Sequence, residues 1–95
     1  MTRFDLIHVD LLDTLRMRGR FGPVSKTQYI AEQPALAAAE RRVGELLAHG
    51  FVAQKDHLLL VTDKGMTALD AARRASMNKP RRTFLAEGIK LLNVG

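Results

Sequence analysis

Hydrophobic positions follow helical spacing over most of the chain and give way once to a pair of short strand-like runs. From Asp5 to Met17, Leu6, Ile7, Val9, Leu11, Leu12 and Leu15 are too many for one narrow stripe. They predict a helix covered on two sides, once by its own domain and once by something else, with Asp10, Asp13 and Arg16 as a thin polar face. Gly19 and Gly22-Pro23 end it. Ser25 is a suitable N-cap for a short second helix, roughly Lys26 to Gln33, with Tyr29 and Ile30 inward. Pro34 breaks the chain where a first helical turn tolerates proline. A third helix then runs to about His49, burying Leu36, Ala39, Val43, Leu46 and Leu47 and turning Ala37, Ala38, Arg41, Arg42 and Glu45 outward.

The change of period falls at Gly50, placed where a helix C-terminus wants a left-handed residue. Phe51-Val52 opens a strand, Gln54-Lys55-Asp56-His57 makes a polar tip, and Leu58-Leu59-Leu60-Val61 returns. Thr62 caps a fourth helix over about Asp63 to Met77, its acid near the positive end of the helix. A basic break, Asn78 to Arg82, precedes a last helix that Thr83 caps and that carries Phe84, Leu85, Ile89 and Leu92 as an apolar stripe. The expectation is a mainly α chain with a small β-hairpin: residues 1–77 form one domain, and 78–95 a basic linker and C-terminal helix suited to dimerisation.

Composition narrows the function classes. The 95 residues allow one domain, and the absence of cysteine excludes disulfides and thiolate metal sites. Acidic residues interrupt the N-terminal apolar run, which argues against a signal peptide, and no stretch reaches the roughly 18 apolar residues of a membrane span. A cytoplasmic protein is expected. The net charge of +5 is unevenly spread: residues 16–42 hold six basic and two acidic groups, and residues 73–95 six basic and one acidic. Two basic blocks suit a polyanionic partner. No metalloprotease helix, Walker loop, dinucleotide fingerprint or nucleophile elbow occurs, His8 and His49 lack partners at metal-ligand spacing, and no catalysis or cofactor is implied.

Three helices followed by a hairpin, with Tyr29-Ile30-Ala31, Val43 to Val52 and Leu60-Val61-Thr62-Asp63-Lys64-Gly65, resemble winged helix-turn-helix transcriptional regulators of the MarR or PadR type. The resemblance covers about Asp5 to Met77. It implies a homodimeric regulator that binds double-stranded DNA, with residues 35–49 as recognition helix in the major groove and residues 51–62 as wing. Arg41 and Arg42 are the leading contacts to bases or phosphates. Lys26, Thr27 and Gln28 sit at a helix N-terminus suited to phosphate. Arg18 and Arg20 are placed for backbone phosphates, Ala38 for a methyl contact, and Lys55 and His57 at the wing tip for the flank. The family's terminal-helix dimers imply an interface of Leu6, Val9, Leu12, Phe84, Ile89 and Leu92, the same residues that would otherwise close the monomer core. The chain departs from the family in its Pro34-Ala35-Leu36-Ala37-Ala38-Ala39 segment, which offers methyl groups where polar side chains are usual. That departure keeps open an alternative, a winged-helix module that binds another protein through its alanine face.

Overall fold

The computed structural model describes residues 2–94. Their order is α1 (Leu6–Gly19), β1 (Val24–Ser25), α2 (Lys26–Ala31), α3 (Leu36–Ala48), β2 (Val52–Lys55), β3 (Leu58–Val61), α4 (Asp63–Ala75) and α5 (Arg81–Asn93). The chain is therefore mainly helical, with a small antiparallel sheet in the order β1-β3-β2. No helix among the described residues is long and apolar enough to cross a membrane.

Local chemistry accounts for most boundaries. Asp5 caps α1: its carboxylate accepts from the Ile7 and His8 amides, while its own N–H donates to His8 Nδ1, closing a capping box. Ser25 Oγ and Thr62 Oγ1 cap α2 and α4. At the end of α3, Gly50 adopts φ +81°, its N–H donates to the Leu47 carbonyl and that of Phe51 to Leu46. This left-handed stop turns Phe51 into the core as the hairpin starts. Lys55 pairs with Leu58, so the turn is just Asp56-His57, with Asp56 left-handed.

Other boundaries correct the expectations. A further strand, β1, is present: Val24 and Ser25 pair with Leu59 and Leu58, so the return strand is the centre of the sheet, although of its apolar run only Leu59 is buried and Leu60 is exposed. α2 stops at Ala31, Pro34 precedes α3 instead of opening it, and Ala35 supplies no side-chain cap. α4 ends at Ala75, and α5 starts at Arg81 after Pro80, ahead of the start that a Thr83 cap would give.

α1 is the hub, packing against α3, α4, α5, β1 and β3. Val9, Leu12 and Leu15 from α1 meet Tyr29, Val43, Leu46, Phe51, Leu59, Leu69, Phe84 and Leu92 in one core. Each fully buried Leu, Val or Phe stabilises the fold by roughly 1.5–3 kcal/mol relative to exposure. Residues 81–93 are thus part of that core rather than an appendage. The approach of α5 to α1 is close: a Cβ on Gly88 would stand 2.5 Å from Val9 Cγ1.

This packing draws on most of the residues expected at a dimer interface. Val9, Leu12, Phe84 and Leu92 are buried within the single chain, Ile89 is half-buried and packed against the same core, and Leu6 alone is exposed. These residues close the monomer because the terminal helices satisfy one another. The thin polar face of α1 is corrected too. Asp13 is only 1% exposed and Arg16 6%. Both terminal nitrogens of the guanidinium are satisfied, Arg16 Nη2 donating to Asp13 Oδ1 at 2.8 Å and Nη1 to Asp70 at 3.2 Å, while the buried Nε has no partner among the described residues. Arg81, arriving with α5, adds contacts to Asp10 at 2.8 Å and to Asp13 at 3.4 Å.

Candidate nucleic-acid interface

The start of α2, the first turns of α3 and the hairpin tip surround one open groove of about 630 Å³. Lys26, Thr27 and Ile30 line it from α2, Leu36 and Glu40 from α3, and Gln54, Asp56 and His57 from the hairpin. The three walls are tied together. The Lys26 N–H donates to the His57 carbonyl at 2.8 Å, extending the β1–β3 ladder into the helix. Lys26 Nζ donates to Gln54 Oε1 at 3.3 Å, and Gln54 Nε2 to the Asp56 carbonyl at 2.8 Å. The hairpin tip is therefore held against α2.

Of the residues that sequence reasoning assigned to DNA, the fold brings Lys26, Thr27 and His57 to this groove. Gln28 is exposed on α2, Lys55 is exposed beside the turn, and Ala38 is half-buried. Arg41 is exposed, follows Glu40 on α3, and has no ion-pair or hydrogen-bond partner among the described residues. The exposed part of α3 also contains Leu36, 55% exposed, where burial was expected. The physical reason is the late start of the helix, which places Leu36 in its first turn, at the groove rather than under it.

Arg42 does something else. Its Nη2 donates to Asp5 Oδ2 at 2.9 Å and its Nε to Oδ1 at 3.3 Å, a two-point grip on the residue that caps α1. Burial acts to raise the Asp5 carboxyl, but hydrogen bonds from Arg42 and from the His8 amide outweigh it and hold that group well below the usual carboxylate range. Glu45, also expected outward, accepts from His8 Nε2 at 2.9 Å. Nδ1 lies 2.9 Å from the Asp5 amide and 3.0 Å from its carboxylate, so His8 bridges α1 to α3. Asp5, His8, Arg42 and Glu45 form a structural network, and sequence spacing gave no sign of it because the partners lie 37 residues apart.

The remaining cations divide the same way. Arg18 is paired with Glu32 and lies over the Tyr29 ring. Arg20 is exposed on the loop after α1. At the N-terminus of α2, the Lys26 amide is bound to His57 and the Gln28 amide to Ser25 Oγ, and the helix has six residues. Its first turn therefore has little free donor capacity for a phosphate, and Lys26 acts there through its side chain. No group of three or more His, Asp or Glu side chains among the described residues is placed to hold a metal ion.

No family model, characterised protein or solved structure matches the chain.

Proposed function

We propose that the protein binds double-stranded DNA as a winged helix-turn-helix regulator, with α2 and α3 as the helix-turn-helix and β2–β3 as the wing. The observation that carries this proposal is the convergence of the α2 start, the exposed face of α3 and the hairpin tip on one groove, with Lys26, Thr27 and His57 along it. The element order and the β1-β3-β2 sheet accord with that architecture. In this assignment α3 enters the major groove. Arg41 grips guanine O6 and N7 or a phosphate, and Glu40 beside it accepts from a cytosine N4 amine. Lys26 and Lys55 take backbone phosphates on either side, and Arg42 contributes only by fixing α3 to α1.

Leu36 and Ala37 supply apolar contact in place of further hydrogen bonds, so base reading is concentrated in few side chains. Selection of bound duplexes from a random pool tests the proposal: enrichment of a short site containing a G·C pair is expected, and a pool that stays random overturns it. A second reading is favoured by a specific observation. Ala35, Leu36 and Ala37 form an exposed apolar start to α3, while Arg16, Arg18 and Arg42 are neutralised by Asp13, Glu32 and Asp5. That face also suits a partner protein's helix, and attachment to such a partner would change little with salt, whereas attachment to DNA weakens steeply as salt rises.

A further inference from the structure

Between the end of α1, the loop after it, β3 and the start of α4 runs an open groove of about 540 Å³ that shares no lining residue with the α2–α3 groove. Leu15, Val24, Leu60, Val61 and Met66 make its walls apolar. Leu60 is 52% exposed there, because β1 pairs with β3 no further than Leu59. The charged residues of the lining are Arg16 and Arg20, and no acid accompanies them. Arg16 is already bound to Asp13 and Asp70, whereas Arg20 is exposed and its guanidinium has no partner among the described residues. The groove thus offers a long apolar wall and one available positive charge. Gly19, also in the lining, keeps that wall open. It ends α1 without a positive φ, and a Cβ on it would meet no atom within 4 Å. Neither backbone nor packing calls for glycine there, although glycine weakens a helix. Phe21, 92% exposed, stands over an adjoining depression that shares Gly22, Pro23 and Val24 with the groove. Its loop is held in place: the Phe21 N–H donates to the Arg18 carbonyl at 3.0 Å and the Arg20 N–H to that of Met17 at 3.2 Å.

We propose that the groove binds a medium-chain fatty carboxylate: the acyl chain lies along Leu60, Val61 and Met66, the head group pairs with Arg20, and the Phe21 ring adds apolar surface at the rim. Charge selects the sign of the ligand, since a lining with two arginines and no acid disfavours a cationic amphiphile. Charge also sets its direction. Asp63 and Asp70 share the α4 face of Met66 and repel an anion from that end, while Arg20 attracts it to the end of α1. The carbonyls that would oppose an anion there are partly satisfied, because those of Met17 and Arg18 already accept from Arg20 and Phe21. The size is suitable, as sites for small organic ligands span about 300–1,000 Å³. A fully buried methylene tightens binding about fourfold, and a groove open along one side delivers about two- to threefold per carbon.

This inference is independent of what the α2–α3 groove binds. Titration of the isotope-labelled full chain with decanoate, below its micelle-forming concentration, tests it through amide chemical shifts that report both place and affinity. Saturable one-to-one binding is expected, with a Kd between about 10 µM and about 1 mM. The shifts should concentrate in residues 15–24 and 58–66, and affinity should rise about two- to threefold per carbon from hexanoate to decanoate. Gly19→Leu fills the open wall and should weaken decanoate at least about tenfold, while the ligand-free variant melts no lower than the wild type. Arg20→Gln should weaken decanoate about two- to fivefold, the worth of an exposed ion pair, and leave decanol unchanged. Shifts that cluster elsewhere, an affinity indifferent to chain length, or a Gly19→Leu variant that binds like the wild type overturns the proposal. Binding to vesicles of anionic phospholipid without binding to monomeric decanoate also overturns it, and makes the surface a membrane contact.

Discussion

Arg41 and Arg42 are consecutive and identical in chemistry, but Arg41 is exposed while Arg42 is bound to Asp5, so replacing each by alanine separates the proposed binding role from stability. Arg42 makes two hydrogen bonds to a carboxylate that is 46% exposed. A charge-assisted bond of this kind is worth ~1.5–3 kcal/mol when shielded. The exposure of Asp5 discounts it toward the ~0.2–1 kcal/mol of surface pairs. The cap itself remains, because the Ile7 and His8 amides still bind Asp5 in the variant. We expect Arg42→Ala to cost about 1–1.5 kcal/mol, which lowers Tm by about 5–10 °C in a domain of this size. Arg41→Ala removes a solvated side chain and should change stability by less than about 0.5 kcal/mol. On the proposed DNA-binding role its effect is expected in duplex affinity, where loss of a bidentate base contact costs about 1–3 kcal/mol. Thermal denaturation followed by circular dichroism, paired with duplex titration at a temperature where both variants are folded, reads the two effects. If Arg42→Ala melts like the wild type while Arg41→Ala is destabilised, the division of labour is wrong.

Other consequences follow from the buried charge and the close helix contact. Asp13→Ala should cost about 3 kcal/mol, since it removes the buried carboxylate partner of Arg16, leaving that guanidinium only Asp70, and takes one of the two acids that hold Arg81; a urea midpoint close to that of the wild type would contradict this. Gly88→Ala should lose about 1–3 kcal/mol through overpacking, because Val9 is fully buried and cannot yield to a Cβ 2.5 Å away, and an unchanged Tm would show that the helices separate freely. The Asp5 carboxyl titrates below its unfolded value, so the stability it adds is fully present above about pH 4 and is lost as pH falls through the folded value. The advantage of the wild type over Arg42→Ala should therefore be level from about pH 5 to pH 8 and shrink in acid; an advantage that widens on acidification would have the wrong sign.

The succession of helices and hairpin was legible in the sequence because local signals specify it: the caps at Ser25 and Thr62, the left-handed stop at Gly50, and the shift of period at Phe51. β1 was not, since two residues after Gly22-Pro23 have no period to detect, and Ser25 already carried a capping signal. Charge was the harder matter. Counting basic residues treats Arg16, Arg18, Arg42 and Arg81 as available, whereas each is held by an acid 14 to 71 residues away, Arg16 by a nearby acid as well. The same limit affected the terminal helices. Leu12 and Phe84 carry the apolar spacing of an interface, and only their mutual packing reveals that the interface lies within one chain.

The central claim, that the protein binds DNA with Lys26 at the α2–α3–hairpin groove and with the exposed Arg41 and Lys55 outside its lining, is tested most directly by the salt dependence of duplex binding. Three phosphate contacts per chain give a slope of log K against log salt of about −3, or about −5 to −6 for a bound dimer. Arg41→Ala should make the slope shallower by about one per chain if it holds a phosphate, or lower affinity at constant slope if it reads a base, and Arg42→Ala should leave both unchanged in the folded protein. A flat salt dependence in the wild type, or an Arg41→Ala variant that matches it in both affinity and slope, would contradict the account.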